Sequence, residues 1–266
     1  MYLLYTDETN VDPKETEFFV YGGVAFHSNH AEAISSGIAS LRRKHGYNPE
    51  DVLKFNTVQR PAHINAESHR KIKQDVMELA ARHEVKLFCS MILHAVATSP
   101  DEARRNEINR IAYHYDCFLH RQSDLGLVLV DMFTDAKLPN HLREKFTVGL
   151  TDMPFSKAMP LERVLGYHLA TVGSSHFCSL IDIVLGALRF VINSRKDERR
   201  KSVVSQLLHQ LSRLCIREES GKVSELCLFF SPKTIRVAKY RSEYKGLRDL
   251  FVDAGMAPTQ QISGRG

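Results

Sequence analysis

The sequence predicts an α/β fold built on a mixed β-sheet. Two β-rich segments, YLLYT and EFFVYGGVAFH, open the chain and are joined by a polar turn around residues 10–14, as in an antiparallel hairpin. Segments with helical periodicity then alternate with short apolar runs. One of these runs, LGLVLVDMF, is apolar almost throughout, the pattern of a strand covered on both faces.

Each element has its own signal. The first strand is expected over residues 2–6, and Gly22 and Gly23 in the second point to a bulge or a close backbone approach. Apolar spacing predicts a helix over 31–45, ended by Gly46, and another over 66–83. LKFNTV between them reads as a short strand or an extended loop, and VKLFCSMIL as a strong strand. Asp101 opens a helix to about Gln122, with Ile108, Ile111, Tyr115 and Phe118 on one face. Tyr113 and Tyr115 are expected to pack that helix rather than to stack on bases.

After LGLVLVDMF the region 135–160 holds three of the nine prolines and reads as a loop. HLATVGS is a further strand, and SSHFCSLIDIVLGALRFVI a buried helix with Ser174 or Ser175 as its cap. A basic helix over about 199–216, a strand at SELCLFF and a helix over about 242–254 complete the chain. The expected organisation is one domain over 1–195 with a basic C-terminal extension, 196–266, packed on it.

At 266 residues, 43% hydrophobic and 25% charged, the chain can bury a core without disulfides. This composition excludes a disordered or collagen-like protein. The apolar runs fall short of the roughly 20 residues that a bilayer requires, and the N-terminus lacks a basic segment followed by an apolar stretch. A soluble, cytoplasmic protein with no membrane partner is therefore expected. Cys89, Cys117, Cys178, Cys215 and Cys227 are odd in number and without a CxxC pair, so they read as reduced, mostly buried thiols.

Net charge is +5, but it is unevenly spread. Residues 189–249 carry 15 Lys and Arg against 7 Asp and Glu, a balance of +8 that leaves −3 elsewhere. A polyanion partner such as DNA or RNA suits that segment, and Arg199, Arg200 and Lys201 are its candidate phosphate contacts. Protein partners or a homo-oligomer are compatible with the same surface.

No HExxH, GxSxG, P-loop or GxGxxG motif is present, which disfavours zinc hydrolysis and the commonest hydrolase, NTPase and dinucleotide folds. Three carboxylates stand where packing alone would not place them. Asp7 ends the first strand, Asp131 ends LGLVLV, and Asp182 lies inside an apolar helix between Ile181 and Ile183. An ionised carboxylate there is costly unless it is paired or holds a metal. Convergence of the three would suit Mg²⁺ or Mn²⁺, and two such ions about 4 Å apart cleave phosphodiesters.

These features resemble the DUF3800 family. Its opening Asp-Glu-Ser-Gly is similar to Asp7-Glu8-Thr9-Asn10, and its Phe…Gly-Gly strand to Phe19-Val20-Tyr21-Gly22-Gly23. Lys54 in Asp51-Val52-Leu53-Lys54 matches a Lys that follows an acidic residue, and Leu129-Val130-Asp131 a strand ending in Asp. The closing Gln-x-Ala-Asp, with Gly four residues on, falls on Ser179-Leu180-Ile181-Asp182 and Gly186. The Gln and Ala are lost, Asn10 replaces Gly, and Val52 stands where Glu is common.

The resemblance covers about residues 1–195. It implies a ribonuclease H-like fold and nuclease chemistry, with Asp7, Asp131 and Asp182 holding the metal and Lys54 steadying a phosphate. Glu8, Asp51 and Asp135 are candidates for a fourth acidic ligand. The alternatives are a catalytically inactive nucleic-acid-binding or scaffold protein of the same fold, and a hydrolase of small phosphate esters. Cleavage separates the first alternative from the nuclease, and a closed pocket the second.

Overall fold

The computed structural model describes residues 1–12, 17–97, 99–132, 135–151, 158–171 and 173–264. Phe133 at the end of the expected fourth strand, residues 152–157 of the expected loop and Val172 of the expected fifth strand lie outside them.

Six strands form one sheet in the order β5-β4-β1-β2-β3-β6. β1 (Tyr2–Thr9), β2 (Phe18–His27) and β3 (Lys86–Leu93) make an antiparallel meander. β4 (Gly126–Asp131) lies parallel to β1, and β5 (Val164–Ala170) parallel to β4. β6 (Leu228–Ser231) lies parallel to β3 at the opposite edge. The C-terminal segment thus packs on the domain and also completes its sheet.

Strand alternation divides the core in two. Tyr5, Val20 and Val24 face α1 (Ala31–Lys44), α2 (Ala66–Arg82), α5 (His176–Asn193), α6 (Lys201–Ser212) and α7 (Ala238–Asp253). Leu4, Phe19 and Tyr21 face α3 (Pro100–Gln122) and α4 (Leu138–Thr147). Among the described residues, side chains cap three α-helices: Asn65 accepts from Ser68 N, Ser99 from Glu102 N and Ser175 from Cys178 N. Each such cap contributes about 1 kcal/mol. α5 has an 18-residue window of mean hydropathy 1.5, and 61% of that window is buried inside the protein. Its apolarity serves the core.

Several elements differ from expectation. β1 runs on to Thr9, so Asp7 lies inside the strand, opposite Gly22, rather than at its end. The register across Gly22 and Gly23 is unbroken, so there is no bulge. The close approach is real: a Cβ on Gly22 would sit 2.7 Å from Phe88 O and 2.8 Å from Leu185 Cδ2. LKFNTV is loop over its first four residues, and its last two open a 3₁₀ turn at Thr57–Gln59.

β4 is covered unevenly: Gly126, Val128 and Val130 are buried, while Leu127, Leu129 and Asp131 are partly open. The open side is the one that faces the cleft described below. α4 falls in the segment expected to be a loop, because Pro139 reads as a breaker yet is tolerated in a first helical turn. β5 and α7 begin four residues earlier than expected, while β6 begins four residues later. The basic helix is shortened to α6, preceded by a 3₁₀ turn at Glu198–Arg200.

Candidate active site

β1 and β4 are adjacent, parallel and in register, with Thr6 opposite Val130. Asp7 and Asp131 therefore stand side by side on the α5 face, near the carboxyl ends of their strands. Open α/β sheets place their sites at such ends. Asp182 projects from α5 onto the same spot. All three line one small cleft, together with Tyr5, Leu129 and Cys178. It has room for about one water, about 10 Å³.

The carboxylates act on one another. Burial raises the Asp7 pKa to about 7, and the negative charges of Asp131, Glu8 and Asp182 add to the shift. The Asp7 carboxylate accepts a hydrogen bond from Glu8 N at 2.7 Å. Burial likewise raises Asp131; Lys54 opposes that shift and Asp182 adds to it.

Asp182 is held by a docked loop. Arg42 donates to the carbonyls of Asn48, Pro49 and Asp51, which fixes the start of that loop. Leu53 is fully buried, and Phe55 packs against Gly186, one turn after Asp182. A Cβ on Gly186 would stand 2.3 Å from Phe55 Cβ, so only glycine admits the loop. Docking brings Phe55 N to Asp182 Oδ2 at 2.6 Å and Lys54 Nζ to Asp182 Oδ1 at 3.7 Å. Lys73 of α2 donates to Phe55 O at 3.0 Å and lies 4.3 Å over its ring. Burial lowers the Lys73 pKa to about 8, although Asp182 pulls it the other way. Local sequence carried no signal for Phe55 or Lys73.

Glu8 is a correction. Strand alternation turns it to the opposite face of the sheet, where Arg104 of α3 pairs with it at 3.0 Å. The other candidates for a fourth ligand are also engaged elsewhere: Asp135 with Arg105 at 2.7 Å and Asp51 with His63 at 3.1 Å. Asn10 adopts φ 57°, the left-handed region that Gly and Asn favour, which accounts for its standing where the resembling motif has Gly.

Arg199 and Arg200 lie in the 3₁₀ turn before α6 and Lys201 opens the helix, and none of the three lines the cleft. Each is paired within its own turn, to Asp197 at 3.3 Å for both arginines and to Glu198 at 3.4 Å for the lysine. Pairs this exposed are worth about 1 kcal/mol or less, so a phosphate can displace them.

The cleft's oxygen donors and mutual repulsion suit a hard divalent cation, which would relieve the raised Asp7 and Asp131. Among the described residues, however, no group of three or more His, Cys, Asp or Glu side chains is drawn close enough to hold one ion. The three carboxylates share a cleft without forming a closed ligand cage.

Asp7 yields a stability prediction. Its folded pKa lies above 3.8, so the native state binds the proton more tightly and loses stability as pH rises from about 4 to about 7. Asp7→Asn removes that penalty. Urea unfolding of chelator-treated protein should show a gain of up to about 4 kcal/mol near pH 8 that vanishes near pH 4. No gain at the higher pH would show that Asp7 carries no burial penalty.

Comparison with known protein families and with characterised proteins finds no match to this chain.

Proposed function

We propose that this chain is a Mg²⁺- or Mn²⁺-dependent phosphodiester hydrolase, a nuclease, on a ribonuclease H-like sheet. The observation that carries this reading is the meeting of Asp7, Asp131 and Asp182 in one cleft. The antiparallel meander β1-β2-β3, extended beside β1 by the parallel strands β4 and β5, supports the fold assignment.

Asp7, Asp131 and Asp182 would hold the metal. When bound, such ions activate a water and stabilise the departing oxygen. Asp7 gives up its proton on binding a cation, so metal affinity rises with pH through about 7. The N–H of Phe55 fixes the orientation of Asp182, and the Lys54 ammonium beside it meets a phosphate oxygen. Arg199, Arg200 and Lys201 track the backbone of DNA or RNA further out.

The test is cleavage of labelled single- and double-stranded DNA and RNA by chelator-stripped protein. Mg²⁺ and Mn²⁺ should restore cleavage. Ca²⁺ should not, because its oxygen ligands sit at about 2.3–2.6 Å against about 2.0–2.1 Å for Mg²⁺ and misalign the water. Cleavage without metal refutes the mechanism. A second reading, a catalytically silent nucleic-acid-binding or scaffold protein, draws on the open spacing of the carboxylates. Metal binding without cleavage of any substrate would favour it.

A further inference from the structure

Behind the Phe55 loop, between α2, α5 and α6, runs a groove of about 610 Å³, a volume in the range of ligand sites. Phe55 connects it to the carboxylate cleft: its N–H bonds Asp182, which lines the cleft, and the residue itself lines the groove. The lining carries Arg70 and Lys73 and, among the described residues, no carboxylate. Its apolar surfaces include Phe55, Phe190, Val203 and Leu207. Gln210 is 7% exposed, and its side-chain carbonyl has no hydrogen-bond partner among the described residues. The Arg200 guanidinium lies 5.5 Å from the Phe190 ring, which brings the basic start of α6 beside that wall of the groove.

We propose that this groove seats one unpaired nucleotide of a single strand, its base against Phe190 and its phosphate against Arg70 and Lys73, next to the phosphate held at the carboxylates. The proposal deepens the nuclease reading and rests on it for the neighbouring scissile phosphate. Charge complementarity selects the ligand: cations without carboxylates attract a phosphate, and flat apolar surfaces attract a base. Stacking on aromatic rings tolerates any base, so the groove selects unpaired over paired nucleotides rather than one sequence. Gln210 supplies an acceptor for an exocyclic amine or a 2′-hydroxyl.

The sequence offers a direct probe. The chain contains no tryptophan, so Phe190→Trp places the protein's single indole in the groove. Val203→Trp serves as a second reporter, because Val203 lines the groove and is 48% exposed. Fluorescence is titrated in chelator with oligothymidylate, oligouridylate and a blunt DNA duplex. Both single strands should quench the indole and the duplex should not. Lys73→Ala in the reporter background should weaken the single-strand titration roughly tenfold.

Quenching that is equal for duplex and single strand overturns the proposal, and so does its absence in both reporters. Cleavage by the parent protein is scored separately. Cleavage without single-strand quenching removes the groove site and leaves the nuclease. Quenching without cleavage keeps the groove as a nucleotide site and removes the nuclease.

Discussion

Asp182→Asn is expected to lower Mg²⁺-dependent cleavage by about a thousandfold or more while leaving the fold intact. The asparagine carbonyl can still accept the N–H of Phe55, now bonded to Asp182 Oδ2 at 2.6 Å, so the loop stays docked. What is lost is a negative charge beside Asp7 and Asp131. Asp182 raises the pKa of both, so its removal relieves repulsion in the metal-free protein. The urea midpoint should therefore hold or rise slightly as activity disappears. That combination separates a lost metal ligand from a damaged fold. A variant that cleaves as fast as the parent would remove Asp182 from the site, and a large drop in midpoint would make its role structural.

Gly186→Ala should be destabilising, against the usual helical trend. Replacing an interior helical glycine by alanine ordinarily gains up to about 1 kcal/mol. Here the new methyl would stand 2.3 Å from Phe55 Cβ and 2.4 Å from Phe55 Cγ. Cβ lies next to the backbone, so the whole loop has to lift. A net loss of roughly 2 kcal/mol is expected from overpacking. Cleavage should fall about a hundredfold as Lys54 and the Asp182 carboxylate lose their alignment. Adding Phe55→Gly removes both the Cβ and the ring that clash, so the double variant should recover part of the lost stability but not activity, a coupling that a double-mutant cycle measures. A Gly186→Ala protein more stable than the parent would mean that the loop docks elsewhere.

How much of this was legible in the sequence depends on range. Asp131 and Asp182 stood out because a charge at the end or in the middle of an apolar run has a cost that local sequence displays. Asp7 was found by the same logic, though its strand continues three residues further than its pattern suggested. The position of Glu8 was available from alternation alone, since neighbours in a strand face opposite ways. The pairing of Phe55 with Gly186 was not available, because a contact across 131 residues leaves no periodicity in either segment. Pro139 concealed α4, whose buried Leu138 and Leu142 lie four apart as a helix requires. β6 was displaced because the apolar run at SELCLFF continues a turn that bonds Cys227 N to Ser224 O at 3.0 Å before pairing begins.

The docking of Asp182 through a glycine late in the chain also bears on how the protein is made. Domains emerge from the ribosome N-terminus first, at about 5–20 residues per second. The first two carboxylates belong to strands completed by residue 131, whereas the third rides on a helix that starts at His176. Leu185 of that helix fits against the hollow left by Gly22, so it docks only on a finished hairpin. A nascent chain therefore carries two of the three carboxylates before it has the cleft that unites them, and that cleft assembles only once the helix bearing Asp182 has emerged.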